Sequence, residues 1–522
     1  MTNAGTYSIQ DGNPIKPVEY NYLPGSPEEV ERFRNLQRAF GRDFGDVFPD
    51  LHSQKAVVIV PSLTLDQEIL AKIKGHVFYE ERMLCLLMLL RMPNTHVVFV
   101  TSVPVDPVII DYYLHLLPGI TGYHARQRLT LLSCYDAEPL SLTQKILERP
   151  RLMERIRKAI PAGFSAHLAC FNVTPYERTL AVKLGIPIYG CDPDLYRWGN
   201  KSRSRQIFRE CGLSMPEGFE DVKTLDDIIE ALSELRGKNP PLERAVLKMN
   251  DGFSGEGNAI FPFEGAPGDA SMLRQWIRNK LPSALKIVAS GMSFEEYIGK
   301  FEQMQGIVEE FISGSHKTSP SVQCRITPVG KVEVISTHDQ SLGGESGQVF
   351  LGADFPASGA YSREIGSMGR KVAESLQEKG VLGRFSIDFL TLREQYTWKH
   401  FALEINLRKG GTTHPYLMLQ FLTNGEYDQG SGIYTTANGQ PRFYYATDNL
   451  QNEKYRGLTP PDLLEIAIGN ELHFDATLQE GVVFHLISAL SQYGKLGLLC
   501  IGKTPEKTRN IYNRTVDVLN HL

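Results

Sequence analysis

The chain has no basic excess: 55 Lys and Arg stand against 60 Asp and Glu in 522 residues, a formal net charge of -5. Phosphate attraction dominates nucleic-acid affinity, and none of the motifs of the common nucleic-acid modules occurs either, so that class of partner is set aside. Long hydrophobic runs are also missing. The longest, residues 83–90, is far shorter than the ~20 residues of a membrane-spanning helix and is bracketed by Arg82 and Arg91, so it reads as a buried helix and no membrane partner is expected. The seven cysteines (Cys85, Cys134, Cys170, Cys191, Cys211, Cys324, Cys500) are odd in number, scattered, and without a C-x-x-C pair. Several sit in apolar strand-like runs, which favours buried free thiols over disulfides or zinc. Residues 1–14 lack the basic and apolar regions of a signal peptide, so the expected location is the cytoplasm. There is no internal repeat and no long low-complexity tract.

What is present is a composition ordinary for a globular protein, 22% charged, at a length that implies roughly two to four domains. A helix is expected at 27–40. Strand-like runs at 56–60, 96–100, 129–133, 167–171 and 187–189 then alternate with helical stretches at 80–90, 107–117, 141–159 and 175–184. That rhythm implies a parallel sheet wrapped by helices, an α/β domain over the first third of the chain. No GxGxxG follows its first strand, so dinucleotide binding is not supported. A second unit begins near residue 200 with a helix at 202–211. It continues through a hairpin at 244–261 and a helical segment at 271–298, and from 322 to 406 it reads mainly as strands. Beyond about 424 a Gly, Tyr and Asn-rich segment leads to two helices with a strand between them.

Two stretches carry the chemistry. Residues 385–390 (FSIDFL) and 401–408 (FALEINLR) read as paired strands with a hairpin loop at 393–397. Side chains alternate along a strand, so Ala402, Glu404, Asn406 and Arg408 point one way and Phe401, Leu403, Ile405 and Leu407 the other. With Asp388 opposite, two carboxylates and an amide oxygen lie beside a guanidinium. Such a donor set suits an oxygen-liganded Mg²⁺ carrying nucleotide phosphates, in a kinase, a ligase or a phosphatase.

Upstream, Lys248 sits in an apolar strand (Val246, Leu247, Met249) just before a loop with Gly252, Ser254, Gly255 and Gly257. Glycines let backbone N–H groups close around phosphate oxygens, and the lysine supplies a point charge. A flexible hairpin tip is the plainer reading of the loop alone, but an apolar strand does not ordinarily carry an unpaired lysine. Residues 497–504 (GLLCIGKT) match G-x-x-x-x-G-K-[ST] letter for letter; their centre is an apolar strand, however, whereas a phosphate loop follows one, so the match is rejected. Residues 306–312 (GIVEEFI) offer a short extended linker with apolar walls, suited to an adenine edge. Lys201, at the start of a basic helix, reads locally as a solvated helix start.

Lys201 in GNKSRSRQIF, Lys248 with its glycine loop, VEEFI, SIDF and EINLR occur in the order and approximate separation of ATP-grasp enzymes. The chain resembles that superfamily across about residues 195–425. Its first part resembles the pre-ATP-grasp domain, and RKGGTTHPYLMLQFL with GVVFHLISALSQYGKLG is similar to the C-terminal part of pheganomycin-type peptide ligases. The resemblance implies a pre-ATP-grasp α/β domain at 1–195 and an ATP-grasp domain at 196–425. Within the latter, 196–305 would bear the lid, 306–314 would be the adenine linker and 315–425 the metal-binding part, with a C-terminal extension at 426–522. It implies that Lys201 and Lys248 hold the ATP phosphates under the Gly252, Ser254, Gly255 and Gly257 loop. Glu309, Glu310, Phe311 and Ile312 would form the adenine site, with backbone bonds from Glu310 and Ile312. Asp388, Glu404 and Asn406 would hold one or two Mg²⁺, and Arg408 would steady the transferred phosphoryl group. Four residues past Ile312, where many relatives carry a ribose-binding carboxylate, stands His316.

The activity implied is an ATP-dependent carboxylate-amine ligase that joins amino acids or short peptides through an acyl phosphate. Residues 252–257 and 341–352 are the candidate lids. Arg325, Arg384 and His338 are candidates for the carboxylate substrate, alongside roles as structural ion-pair partners, and His414 is a further candidate. A small-molecule kinase and a non-catalytic nucleotide sensor are the competing readings. A homodimer is the default assembly.

Overall fold

The computed structural model describes residues 22–65, 67–251, 257–289, 291–314, 316–343 and 349–521. The segment read for a signal peptide and the loop residues Gly252, Ser254 and Gly255 lie outside them, as does part of the second candidate lid.

Lys55–Val60 (KAVVIV) is buried at every position and therefore sits inside a parallel sheet, whose two covered faces favour unbroken apolar strands. Its neighbours give the order Leu129–Ser133, Thr95–Thr101, Lys55–Val60, Ser165–Cys170, all parallel. The strand expected at 187–189 reduces to a single bridge between Leu168 and Ile188, since Pro187 has no N–H to give a ladder. The helix expected at 141–159 is two, Leu142–Leu147 and Pro150–Ala159. Pro150 has no N–H for a helical bond and pushes Arg149 out of the helical region. The apolar run 83–90 lies in His76–Arg91, a buried 3₁₀ helix.

Downstream, an antiparallel five-stranded sheet runs Gly218–Val222, Gly306–Glu310, Arg244–Met249, Asn258–Pro262, Lys286–Ile287. Glycine is required at 306, where a Cβ would fall 2.2 Å from the Lys248 carbonyl oxygen. The helical segment expected at 271–298 divides into Ala270–Ala284 and Phe294–Met304. Left-handed Gly291 turns the chain, and a Ser293/Glu296 capping box starts the second helix.

The largest sheet has eight strands in the order Thr397–Asn406, Gly383–Glu394, Lys317–Ile326, Val332–Gly343, Val349–Phe355, Phe443–Gln451, Lys495–Gly502, Gly481–His485. The segment after residue 425 thus continues this sheet. Its strands also share one hydrophobic core with the N-terminal sheet, joining Val482 and Leu498 to Val57, Phe99 and Leu84. Leu498, Leu499, Cys500 and Ile501 are buried in the strand Lys495–Gly502, so the P-loop pattern falls inside a strand. All seven cysteines are free, and Cys211 alone is half-buried rather than buried. No helix among the described residues is long and apolar enough to cross a membrane.

Candidate active site

A cavity of about 580 Å³ is lined by residues of the five-stranded sheet, the eight-stranded sheet and the N-terminal segment around Arg82 and Phe171. Its polar wall comes from the antiparallel register of the hairpin Gly383–Glu394/Thr397–Asn406, which sets Asp388 against Glu404 and Ser386 against Asn406. The amide nitrogen of Asn406 donates to Asp388 Oδ2 at 2.9 Å and to Glu404 Oε1 at 3.3 Å, and Gln340 Nε2 donates to Asp388 Oδ1 at 2.9 Å. Arg408 Nη2 donates to Asn406 Oδ1 at 3.3 Å.

A β-bulge between Asp388 and Phe389 breaks the alternation expected along 401–408. Phe389 pairs with Ala402, so Leu403 is the extra residue. Ala402 joins the core with Phe389, Ile405 and Leu407, while Leu403 turns into the cavity beside Glu404. The polar face therefore consists of Glu404, Asn406 and Arg408 without Ala402.

Lys201 is buried rather than solvated. It opens the helix Lys201–Glu210, capped by Asn200, and its Nζ lies 3.3 Å from Glu404 Oε2. That helix is pinned to the hairpin by the Ser204 hydroxyl, which accepts the Ile405 N–H. Ser202 Oγ donates to Asn250 Oδ1 at 2.8 Å and so ties the helix to the other sheet. Lys248 reaches the cavity from the strand Arg244–Met249 and is paired, at 2.6 Å, with Glu309. Glu309 is buried and also holds Arg205 Nη1 at 3.1 Å, so it serves as the brace of Lys248.

The electrostatics favour a cation between the carboxylates. Burial raises Glu404, but Lys201 and then Lys248 outweigh it and hold its carboxyl below the usual carboxylate range. Burial and then repulsion from Glu404 push the Asp388 carboxyl above that range. Two facing carboxylates, one of which resists ionisation, fit a hard divalent ion.

Glu310, Phe311 and Ile312 line the cavity at the other sheet. The Glu310 N–H is engaged by the Glu217 carbonyl and the Phe311 N–H by that of Arg244, so Glu310 can meet an adenine edge only through its carbonyl. The Phe311 ring is flanked by Arg244 and Lys317 at 3.9 and 4.8 Å from its centroid. Gly257 closes the base of the hairpin, its carbonyl accepting from the Met249 N–H and the Tyr297 hydroxyl. The His316 side chain is exposed.

Three candidates stand away from the cavity. Arg325 pairs with Glu333 (Nε to Oε2, 2.6 Å) and is tied up as an ion-pair partner. Arg384 shares a strand with Asp388 but is four residues away, about 13 Å along the strand. Burial and then Arg325 lower its pKa to about 10. His338 is fully buried against Phe355, with Nε2 2.7 Å from the Tyr444 hydroxyl. It is a core histidine. His414 is also buried, but its Nε2 meets Asp448 and His485, and Asp448 lines the cavity.

Sequence reasoning missed Gln340, Arg82, Phe171, Asp448 and Asn449, all cavity-lining. Gln340 follows His338 and Asp339 on a strand flanking the acidic wall, and its alternation with His338 was a usable signal. Arg82 and Asp448 form an ion pair at 3.4 Å across 366 residues of chain, for which no local pattern exists.

The family model "IQCH-like, ATP-grasp" matches residues 194–279 and 277–430, and "PGM1 C-terminal domain" matches 462–515. An L-propargylglycine–L-glutamate ligase of Streptantibioticus cattleyicolor is 28% identical over 448 residues, 84% of this chain and 88% of that protein. The IQ motif-containing protein H of Danio rerio is 23% identical over 420 residues, 72% of this chain and 39% of that longer protein. Among solved structures, the biotin carboxylase of Campylobacter jejuni in its β-γ-ATP complex superposes with a TM-score of 0.53 at 12% identity, covering 89% of this chain and 91% of the other. Identity that low speaks for the fold alone. The family match falls on the segment that carries Lys201, Lys248, Asp388, Glu404 and Arg408, and that segment, residues 194–430, is similar to the ATP-grasp family.

Proposed function

We propose that the protein is an ATP-dependent carboxylate-amine ligase acting on amino acids or short peptides. The observation that carries the reading is the joining, in one cavity, of a lysine from each side (Lys201 and Lys248) with the facing pair Asp388 and Glu404 and with Arg408. The similar Streptantibioticus protein, named as a ligase of two amino acids, supports the substrate class. The division at about residues 195 and 425 is part of the same reading.

Asp388, Glu404 and Asn406 would hold magnesium, which when bound neutralises phosphate charge and orients it for displacement. Lys248, braced by Glu309, and Lys201, held by Glu404, place two point charges on the phosphates. Leu403, Phe311 and Ile312 supply apolar surface for the adenine ring. A substrate carboxylate oxygen attacks the γ-phosphorus, the bond from that phosphorus to the bridging oxygen breaks, and ADP leaves. An amine then attacks the acyl carbon; the carbon-oxygen bond to phosphate breaks, and the amine loses a proton as the amide forms. Arg408 stands beside the acidic pair to steady the transferred phosphoryl group. In this reading the acid and amine take the side of the cavity lined by Arg82, Phe171, Asp448 and Asn449.

Screening ADP release against pools of amino acids and short peptides tests the reading. ADP formation that requires both an acid and an amine, with an amide product, is the expected result. ADP formation without an amine, with a phosphorylated acid accumulating, makes the protein a kinase. Nucleotide binding without turnover in any pool makes it a sensor.

A further inference from the structure

Three buried side chains at the edge of the cavity converge on one point without belonging to the phosphate chemistry. His414 opens the helix Thr413–Thr423, Asp448 sits on the strand Phe443–Gln451, and His485 ends the strand Gly481–His485. His414 Nε2 lies 3.1 Å from His485 Nε2 and 3.3 Å from Asp448 Oδ1, and His485 Nε2 lies 2.6 Å from the same oxygen. Ligands at ~2.0–2.1 Å around a tetrahedral ion stand about 3.3 Å apart, so this triangle needs little movement to hold one. Hydrogen bonding satisfies it less well. Two ring nitrogens that face each other can be joined by hydrogen bonds only through the single Asp448 oxygen both meet, whereas a cation uses all three lone pairs together.

The surroundings fit a ligand cradle. Residue 497 is glycine where a Cβ would fall 2.2 Å from the His485 ring, so the backbone leaves room for the imidazole. Arg82, held over the rings of Tyr79 and Phe171, takes the other oxygen of Asp448 at 3.4 Å and leaves Oδ1 facing the two histidines. A charged partner on the far side of a ligating carboxylate orients it in this way.

We propose that His414, Asp448 and His485 form a second metal site for a first-row divalent ion of the zinc class. The two imidazoles and one carboxylate favour such an ion over magnesium, which the facing carboxylates of Asp388 and Glu404 suit. The ion crosslinks the helix that follows Arg408 to the C-terminal strands, and a coordination position beyond the three side chains remains for water or a cavity ligand. The site does not depend on the ligase reading.

The untagged full-length chain, purified without chelator, is analysed for metal content. It is then stripped and titrated with Co²⁺, whose visible bands report ligand geometry. About one zinc-class ion per chain, and a Co²⁺ spectrum weakened at least about tenfold in affinity in both His485→Ala and Asp448→Asn, support the site. Asp388→Asn, on the other wall, keeps that spectrum. Should the His485 and Asp448 variants not fold, the wild-type melting temperature decides: it falls on stripping and returns with Zn²⁺. A stripped wild-type chain that shows no visible Co²⁺ bands and melts at the same temperature with and without Zn²⁺ overturns the proposal.

Discussion

Glu309→Gln tests the brace behind Lys248. The Glu309 carboxylate accepts from Lys248 Nζ at 2.6 Å and from Arg205 Nη1 at 3.1 Å, and both the Glu309 and Arg205 side chains are at most 3% exposed. An amide has one acceptor oxygen and turns a donor toward one of the two cations, so at least one charge-assisted bond is lost. Breaking a buried ion pair costs about 3–5 kcal/mol when the remaining charge has no other partner. Arg205 retains Glu220 at 2.8 Å and the Pro216 carbonyl at 2.8 Å, and Lys248 can turn toward the cavity. The expected loss is therefore about 2–3 kcal/mol. Urea unfolding by linear extrapolation measures it, and the loss persists at high salt because the pair is buried. Glu234→Gln, in an exposed pair with Lys238, serves as the control and stays within about 0.5 kcal/mol. A loss below about 0.5 kcal/mol for Glu309→Gln, or one abolished by salt, refutes the brace.

Glu404→Gln is expected to fold normally yet lose ADP release by about a hundredfold or more, read in a coupled ADP assay. The bulge makes opposite demands on neighbouring residues: Ala402→Leu overpacks the core and costs about 1–3 kcal/mol. Leu403→Ala changes stability little and weakens nucleotide binding in calorimetry. Burial depresses the His338 pKa from 6.5 to about 3, so the unfolded chain takes up this proton first as pH falls. Its contribution is full above pH 6.5 and is lost as pH falls toward 3, by about 1.4 kcal/mol per pH unit. A folded His338→Gln variant should lose stability less steeply over that window than the wild type.

The acidic wall was legible because a period of two puts Glu404, Asn406 and Arg408 on one face whatever the surrounding fold. The bulge at Leu403 was not, since neither glycine nor proline marks it; the core's demand for Ala402 decides it. Pro150 was visible in the sequence, and the break it causes needed only the local rule. Lys201 shows the limit of neighbourhood reasoning: a basic helix start looks solvated until a strand from two hundred residues downstream brings Glu404 to it. Arg325 and Arg384 sit on the right strands but too far along them, and alternation gives a face without a distance. The Asp448 cluster, assembled from three distant elements, had no local signature.

Calorimetric titration of the full chain with Mg·ATP tests the central claim most directly. Saturable binding, a rise in melting temperature by linkage, and loss of both in Lys201→Met and Lys248→Met that remain folded are the results expected. Saturating Mg·ATP that produces neither heat nor a melting shift in the wild-type chain would contradict the assignment of this cavity.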